Sequence, residues 1–197
     1  SGALSADIIN IGSASAISDF GDLSAIYPHT ASVQNATRIK KLTLGSGTDG
    51  YSNTNFTSLS FGENGENALL EELNLTNITS YSGSLDLGSL LNLKKLYASG
   101  TNLAGVIFAD SGKLEYVELP AVNNITFKNL IYLSSDNFKL NTDADGNNNY
   151  DSVVDLTIEN CPLIDAVALF NSCKNIARAR LVGVDFGSVD YEYFKTH

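Results

Sequence analysis

One pattern of apolar and polar positions recurs along the chain: apolar-x-x-apolar-x-apolar. It is present at Leu70/Leu73/Leu75, Leu93/Leu96/Ala98, Leu114/Val117/Leu119, Val153/Leu156/Ile158 and Ile176/Ala179/Leu181, with an early copy at Ile39/Leu42/Leu44 and a weaker one at Phe138/Leu140. The middle positions are 42, 73, 96, 117, 138, 156 and 179, in steps of 31, 23, 21, 21, 18 and 23. Residues two apart in a strand share a face, so the last two apolar positions of each copy point the same way. A near-constant period of this size predicts a solenoid, because one repeat half-buries its apolar side and needs a neighbour stacked on it.

A second alternating signal lies between these copies. Phe56-Thr57-Ser58-Leu59-Ser60-Phe61, Ser84-Leu85-Asp86-Leu87, Val106-Ile107-Phe108, Ile125-Thr126-Phe127 and Val167-Ala168-Leu169 each precede the next main strand by 11 to 14 residues. Each coil is therefore expected to carry two short strands, one on each face, and the connecting segments show no helical period. The expected layout is a solenoid over residues 37–187 with a polar insert at 141–152, flanked by end segments. Residues 1–36 lack the repeat and read as an N-terminal cap, with Asp19 to Pro28 a short helical or irregular segment stopped by its proline. Residues 188–197 read as a C-terminal cap or linker. Their rings Tyr191, Tyr193 and Phe194 have two readings, packing on the last coil or docking the next domain.

The run Phe56-Thr57-Ser58-Leu59-Ser60-Phe61 followed by Ala68-Leu69-Leu70-Glu71-Glu72-Leu73-Asn74-Leu75 resembles bacterial leucine-rich repeats of the treponemal and BspA-like type. Together with Asn92 to Thr101 and Ala177 to Asp185, it is also similar to repeat segments of gut bacteriophage tail and virion proteins. The resemblance covers roughly residues 37 to 187 and departs at the insert 141–149 and at the long first step of 31. It implies a mainly β, right-handed leucine-rich-repeat solenoid of about seven coils, capped at both ends. The phage likeness implies an extracellular, cell-surface or virion setting.

Composition narrows the partners. Charged residues are 17% of the chain, below the usual quarter, so the polar surface falls to Asn, Ser, Thr and Gly. The net charge of −10 and pI near 4.5 argue against nucleic acid and anionic lipid, which need a cationic footprint. No apolar run approaches the roughly 18 residues of a membrane span. The opening Ser1-Gly2 reads as the start of an excised piece, with other domains expected in a larger parent chain, so a missing export signal carries no information. Two cysteines are too few for a disulfide framework. Cys161 reads as a buried free thiol, with a bridge to Cys173 as the alternative.

If the apolar positions of each main strand face inward, the residues between them form two outward columns. One runs Lys41, Glu72, Lys95, Tyr116, Asn137, Asp155, Arg178; the other runs Thr43, Asn74, Tyr97, Glu118, Lys139, Thr157, Arg180. Opposite charges fall side by side as Glu72/Lys95, Glu118/Lys139 and Asp155/Arg178. Such pairs serve either as a patterned binding face or as register-fixing contacts of at most about 1 kcal/mol each. Tyr97, Tyr116 and Arg180 have no such partner in the columns. Exposed aromatics with an arginine are what interfaces and sugar-stacking sites use.

The insert Asn141 to Ser152 resembles an EF-hand-type calcium loop. Asn141, Asp143, Asp145, Asn147 and Asn149 supply oxygens at alternate positions, and Gly146 stands at the sixth, where that loop turns. It departs from the pattern with Asn at position one and Ser152 at position twelve, and the alternative is a surface hairpin rich in turn formers. Five Asn-x-Thr tripeptides, the first at Asn35, follow from the Asn/Thr-rich composition. Catalytic constellations are missing: the two histidines are His29 and His197, and no nucleophile elbow, phosphate loop or His/Cys metal cluster stands out. The expectation is non-catalytic recognition of a protein or glycan on a cell surface, as part of a phage tail, tail fibre or bacterial adhesin. The alternative is a structural spacer without its own ligand.

Overall fold

A computed structural model describes residues 8–10, 19–22, 30–32, 39–45, 56–61, 69–110 and 112–185. The strands, in chain order, are β1 (Ile8–Asn10), β2 (Asp19–Asp22), β3 (Thr30–Ser32), β4 (Lys41–Thr43), β5 (Ser58–Ser60), β6 (Glu72–Asn74) and β7 (Ser82–Leu87). Then come β8 (Lys95–Tyr97), β9 (Asn102–Phe108), β10 (Tyr116–Leu119), β11 (Asn124–Lys128), β12 (Phe138–Leu140) and β13 (Asp155–Glu159). A single α-helix, α1 (Ala166–Ser172), precedes β14 (Arg178–Val182) among the described residues, and a 3-10 turn at Ser135–Asn137 leads into β12.

Consecutive strands up to β13 always enter different sheets. A six-stranded sheet has the order β12-β10-β8-β6-β4-β2, a five-stranded sheet the order β14-β13-β11-β9-β7, and a three-stranded sheet the order β1-β3-β5. Every strand pairing is parallel, so the chain winds as a β-solenoid of about five turns. This mainly β, stacked architecture is the one the repeat predicts.

The leucine pattern makes the core. Leu42, Leu73, Leu96, Val117 and Phe138 stand in register across the six-stranded sheet, each at most 2% exposed. Leu85, Val106, Ile125 and Leu156 form the matching buried row on the five-stranded sheet. The Phe127 ring of β11 meets the Phe138 ring of β12 edge-on at 5.2 Å, so the two rows share one interior. Fully burying each such side chain contributes roughly 1.5–3 kcal/mol, which offsets the ordering of coils too thin to stand alone.

Three expectations are corrected. Leu156 and Ala179, expected beside Leu73, Leu96 and Val117, lie on the five-stranded sheet, where Leu156 pairs with Ile125 and Ala179 with Leu156. The reason is a degenerate pattern: Leu103/Val106/Phe108 and Val122/Ile125/Phe127 also read apolar-x-x-apolar-x-apolar, so the motif marks strands of both sheets. After β12 the insert occupies the half-coil, and the next copy enters the opposite sheet. Secondly, Val167-Ala168-Leu169 is not a strand but part of α1. The Asp165 side chain caps that helix by accepting the Ala168 N–H at 2.9 Å, and Ala166, Leu169 and Cys173 bury one helical side. Thirdly, Asp19–Asp22 is a strand rather than a helical segment, pairing with β4. The segment read as an N-terminal cap thus contributes β1, β2 and β3. The C-terminal rings Tyr191, Tyr193 and Phe194, and both histidines, lie outside the described residues.

Among the described residues no helix is long and apolar enough to cross a membrane.

Candidate functional site

The outward side of the six-stranded sheet holds the two columns over the part of the chain where the repeat keeps one sheet. Lys41, Glu72, Lys95 and Tyr116 stand in register, and beside them Thr43, Asn74, Tyr97, Glu118 and Lys139. The Glu72 carboxylate pairs with Lys41 at 2.7 Å. One residue earlier, Glu71 pairs with Lys94 at 2.7 Å and Lys40 at 3.4 Å, and these ammonium groups hold its carboxyl below the usual range.

At the centre of this face the Tyr97 and Tyr116 rings approach to 5.3 Å between centroids with planes tilted by 41°. Both side chains are half-buried. Tyr116 and Glu118 are two apart on β10 and so share its outward side. The Tyr116 hydroxyl donates to one Glu118 carboxylate oxygen, and the Ser99 hydroxyl donates to the other at 3.4 Å. Burial, then the neighbouring Glu118 carboxylate, pushes the Tyr116 phenol above its ordinary value, so it stays a neutral donor at physiological pH. The arrangement is an aromatic pair bordered by a carboxylate held from two sides, with Lys95 in register with Tyr116 and Lys139 with Glu118.

Arg178 and Arg180 are not part of this face. Both are on β14 of the five-stranded sheet, apart from the tyrosines, which corrects the expectation that Arg180 joins them. Their guanidinium groups are engaged. Arg178 binds both oxygens of Asp155 at 2.5 and 2.7 Å, and Arg180 Nε donates to Glu159. Of the three expected charge pairs, Asp155/Arg178 forms, on the five-stranded sheet. Glu72 and Lys95, and Glu118 and Lys139, stand in register on the six-stranded sheet, where the Glu72 carboxylate pairs with Lys41 and that of Glu118 accepts from Tyr116 and Ser99. The arginines hold the Asp155 and Glu159 carboxyls below their ordinary values.

In the insert, two of the five residues proposed for calcium, Asp143 and Asn149, have a side-chain oxygen engaged with the loop's own backbone. Asp143 accepts the N–H groups of Asp145 and Asn147, and Asn149 accepts that of Asp151. The backbone N–H of Asn141 donates to the Leu119 carbonyl, which holds the loop entry against β10. Among the described residues no group of three or more His, Cys, Asp or Glu side chains comes together to hold a metal ion.

Cys161 and Cys173 are both free and buried. Burial pushes both thiols up, Cys173 to about 11, which keeps them protonated and unreactive at neutral pH. A groove of about 710 Å³ lies beside α1, lined by Cys161, Ile164, Asp165, Ala168, Asn171 and Val184, with none of its walls on the tyrosine face.

Two features escaped the sequence reading. The Tyr116–Glu118 contact was signalled by their spacing of two in a strand, which puts them on one face though in separate columns. The helix was signalled by Asp165 before an Ala/Leu/Cys set at helical spacing. Comparison with protein-family models, with curated proteins and with solved structures finds no match.

Proposed function

We propose that the chain is a non-catalytic recognition module of the leucine-rich-repeat type that binds a protein or glycan on a cell surface. In this reading it belongs to an extracellular or virion-borne assembly, a phage tail or tail fibre or a bacterial surface adhesin, and is one part of a larger parent chain. The observation that carries the reading is the Tyr97–Tyr116 pair at 5.3 Å on the outward side of a six-stranded parallel sheet. Solenoids present extended faces of this kind to partners, and tyrosine is enriched where binding energy concentrates. The buried, protonated thiols support a non-catalytic role, since a nucleophilic cysteine needs an accessible thiolate.

Retention of the purified chain on bacterial cells tests the reading. Y97A/Y116A is expected to abolish retention, while R178A/R180A on the other sheet is expected to leave it intact. Retention unchanged in both variants places any binding off this face, and a wild-type chain that is not retained at all favours the second reading, a spacer or assembly module without its own ligand. That alternative is favoured by the surface ion pairs Lys41–Glu72, Lys94–Glu71 and Arg178–Asp155, which link neighbouring coils to one another rather than to a partner.

A further inference from the structure

Resting on the recognition reading, we infer that Tyr97, Tyr116 and Glu118 form a subsite for a sugar ring of a neutral glycan. Three observations point there. The two rings are in contact but tilted by 41°, and each residue keeps partial exposure on the outward side of the sheet, so the pair is within reach of a flat apolar partner. The axial C–H groups on one side of a pyranose supply such a partner. The Glu118 carboxylate, beside the rings, is fixed by the Tyr116 and Ser99 hydroxyls, which use two of its roughly four acceptor positions. The remaining acceptor positions suit sugar hydroxyls, and a carboxylate already held in place loses little freedom when it accepts them.

The surroundings select a neutral sugar over its charged relatives and over a protein. The Glu118 carboxylate disfavours an acidic group brought against it, Lys95 and Lys139 flank it in register, and the chain charge of −10 adds a long-range, salt-screened repulsion of sialylated or phosphorylated glycans. A protein anchor wants a large apolar surface, yet the most exposed large apolar residues lie elsewhere: Leu91, Ile131, Tyr132 and Leu163 in turns and bends, and Ile107 on β9 of the five-stranded sheet. What borders the rings is polar: Lys95 and Lys139 as ammonium donors and Glu118 as acceptor.

The test presents the full chain to an array of neutral hexose and N-acetylhexosamine oligosaccharides, with sialylated and phosphorylated counterparts alongside. Binding is expected on neutral members. Y97A and Y116A should each lower it about tenfold or more, as truncation of a central aromatic does. E118Q should weaken binding, and Y97F, which keeps the ring and the fold, should retain most of it. Binding confined to the charged members, or neutral binding indifferent to Y97A, Y116A and E118Q, overturns the inference. Cell retention separates this from the broader reading. Retention that needs the tyrosines, survives periodate oxidation of the cells and disappears after protease treatment keeps a recognition role but overturns the glycan ligand. Wild-type chain that binds neither cells nor array members overturns both.

Discussion

Asn160 donates its side-chain amide to the side-chain oxygen of Asn129 at 3.0 Å, one coil away, and both residues hold left-handed backbone, with φ of 51° and 52°. Asn129 in turn donates to Asp110 at 2.6 Å, so a polar ladder runs along the ends of β9, β11 and β13. Each rung also hydrogen-bonds through its backbone: Asn129 N–H to the Glu159 carbonyl, and Asn160 N–H to the Val182 carbonyl. Asparagine suits the position because it tolerates φ > 0 and its amide both donates and accepts.

Asn129→Ala removes both side-chain bonds and puts a Cβ residue without local compensation into left-handed backbone. The expected loss is about 1–3 kcal/mol, read from the urea midpoint. Asn129→Gly relieves the backbone component and should lose less. Equal losses in the two variants would show that strain contributes nothing and the ladder bonds contribute everything.

Gly183 continues this ladder after β14, with φ of 64°, and a Cβ there would stand 2.2 Å from Asn160 Oδ1. Gly183→Ala therefore meets both a forbidden contact and a strained dihedral, and should destabilise by more than about 1 kcal/mol. Gly146, φ 81°, has open space around its Cβ direction, so Gly146→Ala meets the dihedral cost alone and should be milder. A Gly183→Ala protein that melts no lower than Gly146→Ala would mean Asn160 moves aside freely.

How much of this was legible follows from what the pattern encodes. Inward positions such as Leu73, Leu96 and Val117 were readable, because burial in a strand leaves a period of two. Which sheet a strand joins was not, because Leu156 on one sheet and Val117 on the other carry the same local pattern; sheet choice depends on how much chain the preceding half-coil consumes. The insert and α1 changed that length, and Asp155, Arg178 and Arg180 moved to the other face with their strands. On the candidate face, register placed Tyr97, Glu118 and Lys139 as read from the columns. The Tyr116–Glu118 bond was hidden, because cross-strand columns say nothing of contacts along one strand.

Acid should weaken the fold through the surface carboxylates. The folded-state values of Glu71, Asp155 and Glu159 lie below the ordinary 4.5 for Glu and 3.8 for Asp, because Lys94, Arg178 and Arg180 favour the ionised form. A depressed folded pKa gives stability that is complete above the unfolded value and is lost as pH falls through the folded one. The melting temperature should therefore drop from about pH 5 downward, and each exposed pair contributes a small share. Glu71→Gln, which removes the carboxylate held by two lysines, should flatten that acid slope, and high salt should do the same for all three. An unaltered slope in Glu71→Gln would place the acid sensitivity elsewhere.

The loop after β12 makes the last prediction, because Asp143 and Asn149 already engage its own backbone. One Asp143 oxygen accepts the N–H groups of Asp145 and Asn147, both at 2.9 Å, and the other accepts the Asn147 amide at 3.3 Å. Asn148 ties the loop back to β12, accepting the Leu140 N–H at 2.8 Å and donating to the Phe138 carbonyl at 3.1 Å. These bonds set the loop's shape through its own backbone and lower the Asp143 pKa, chiefly through the Asn147 N–H. Asp143→Ala should therefore lower the melting temperature in EDTA as much as in millimolar calcium, and the wild-type melting temperature should be the same in both. A calcium-dependent rise in wild type that Asp143→Ala removes would mean the carboxylate exchanges these backbone donors for a cation, and would favour the EF-hand-type reading of Asn141 to Asn149.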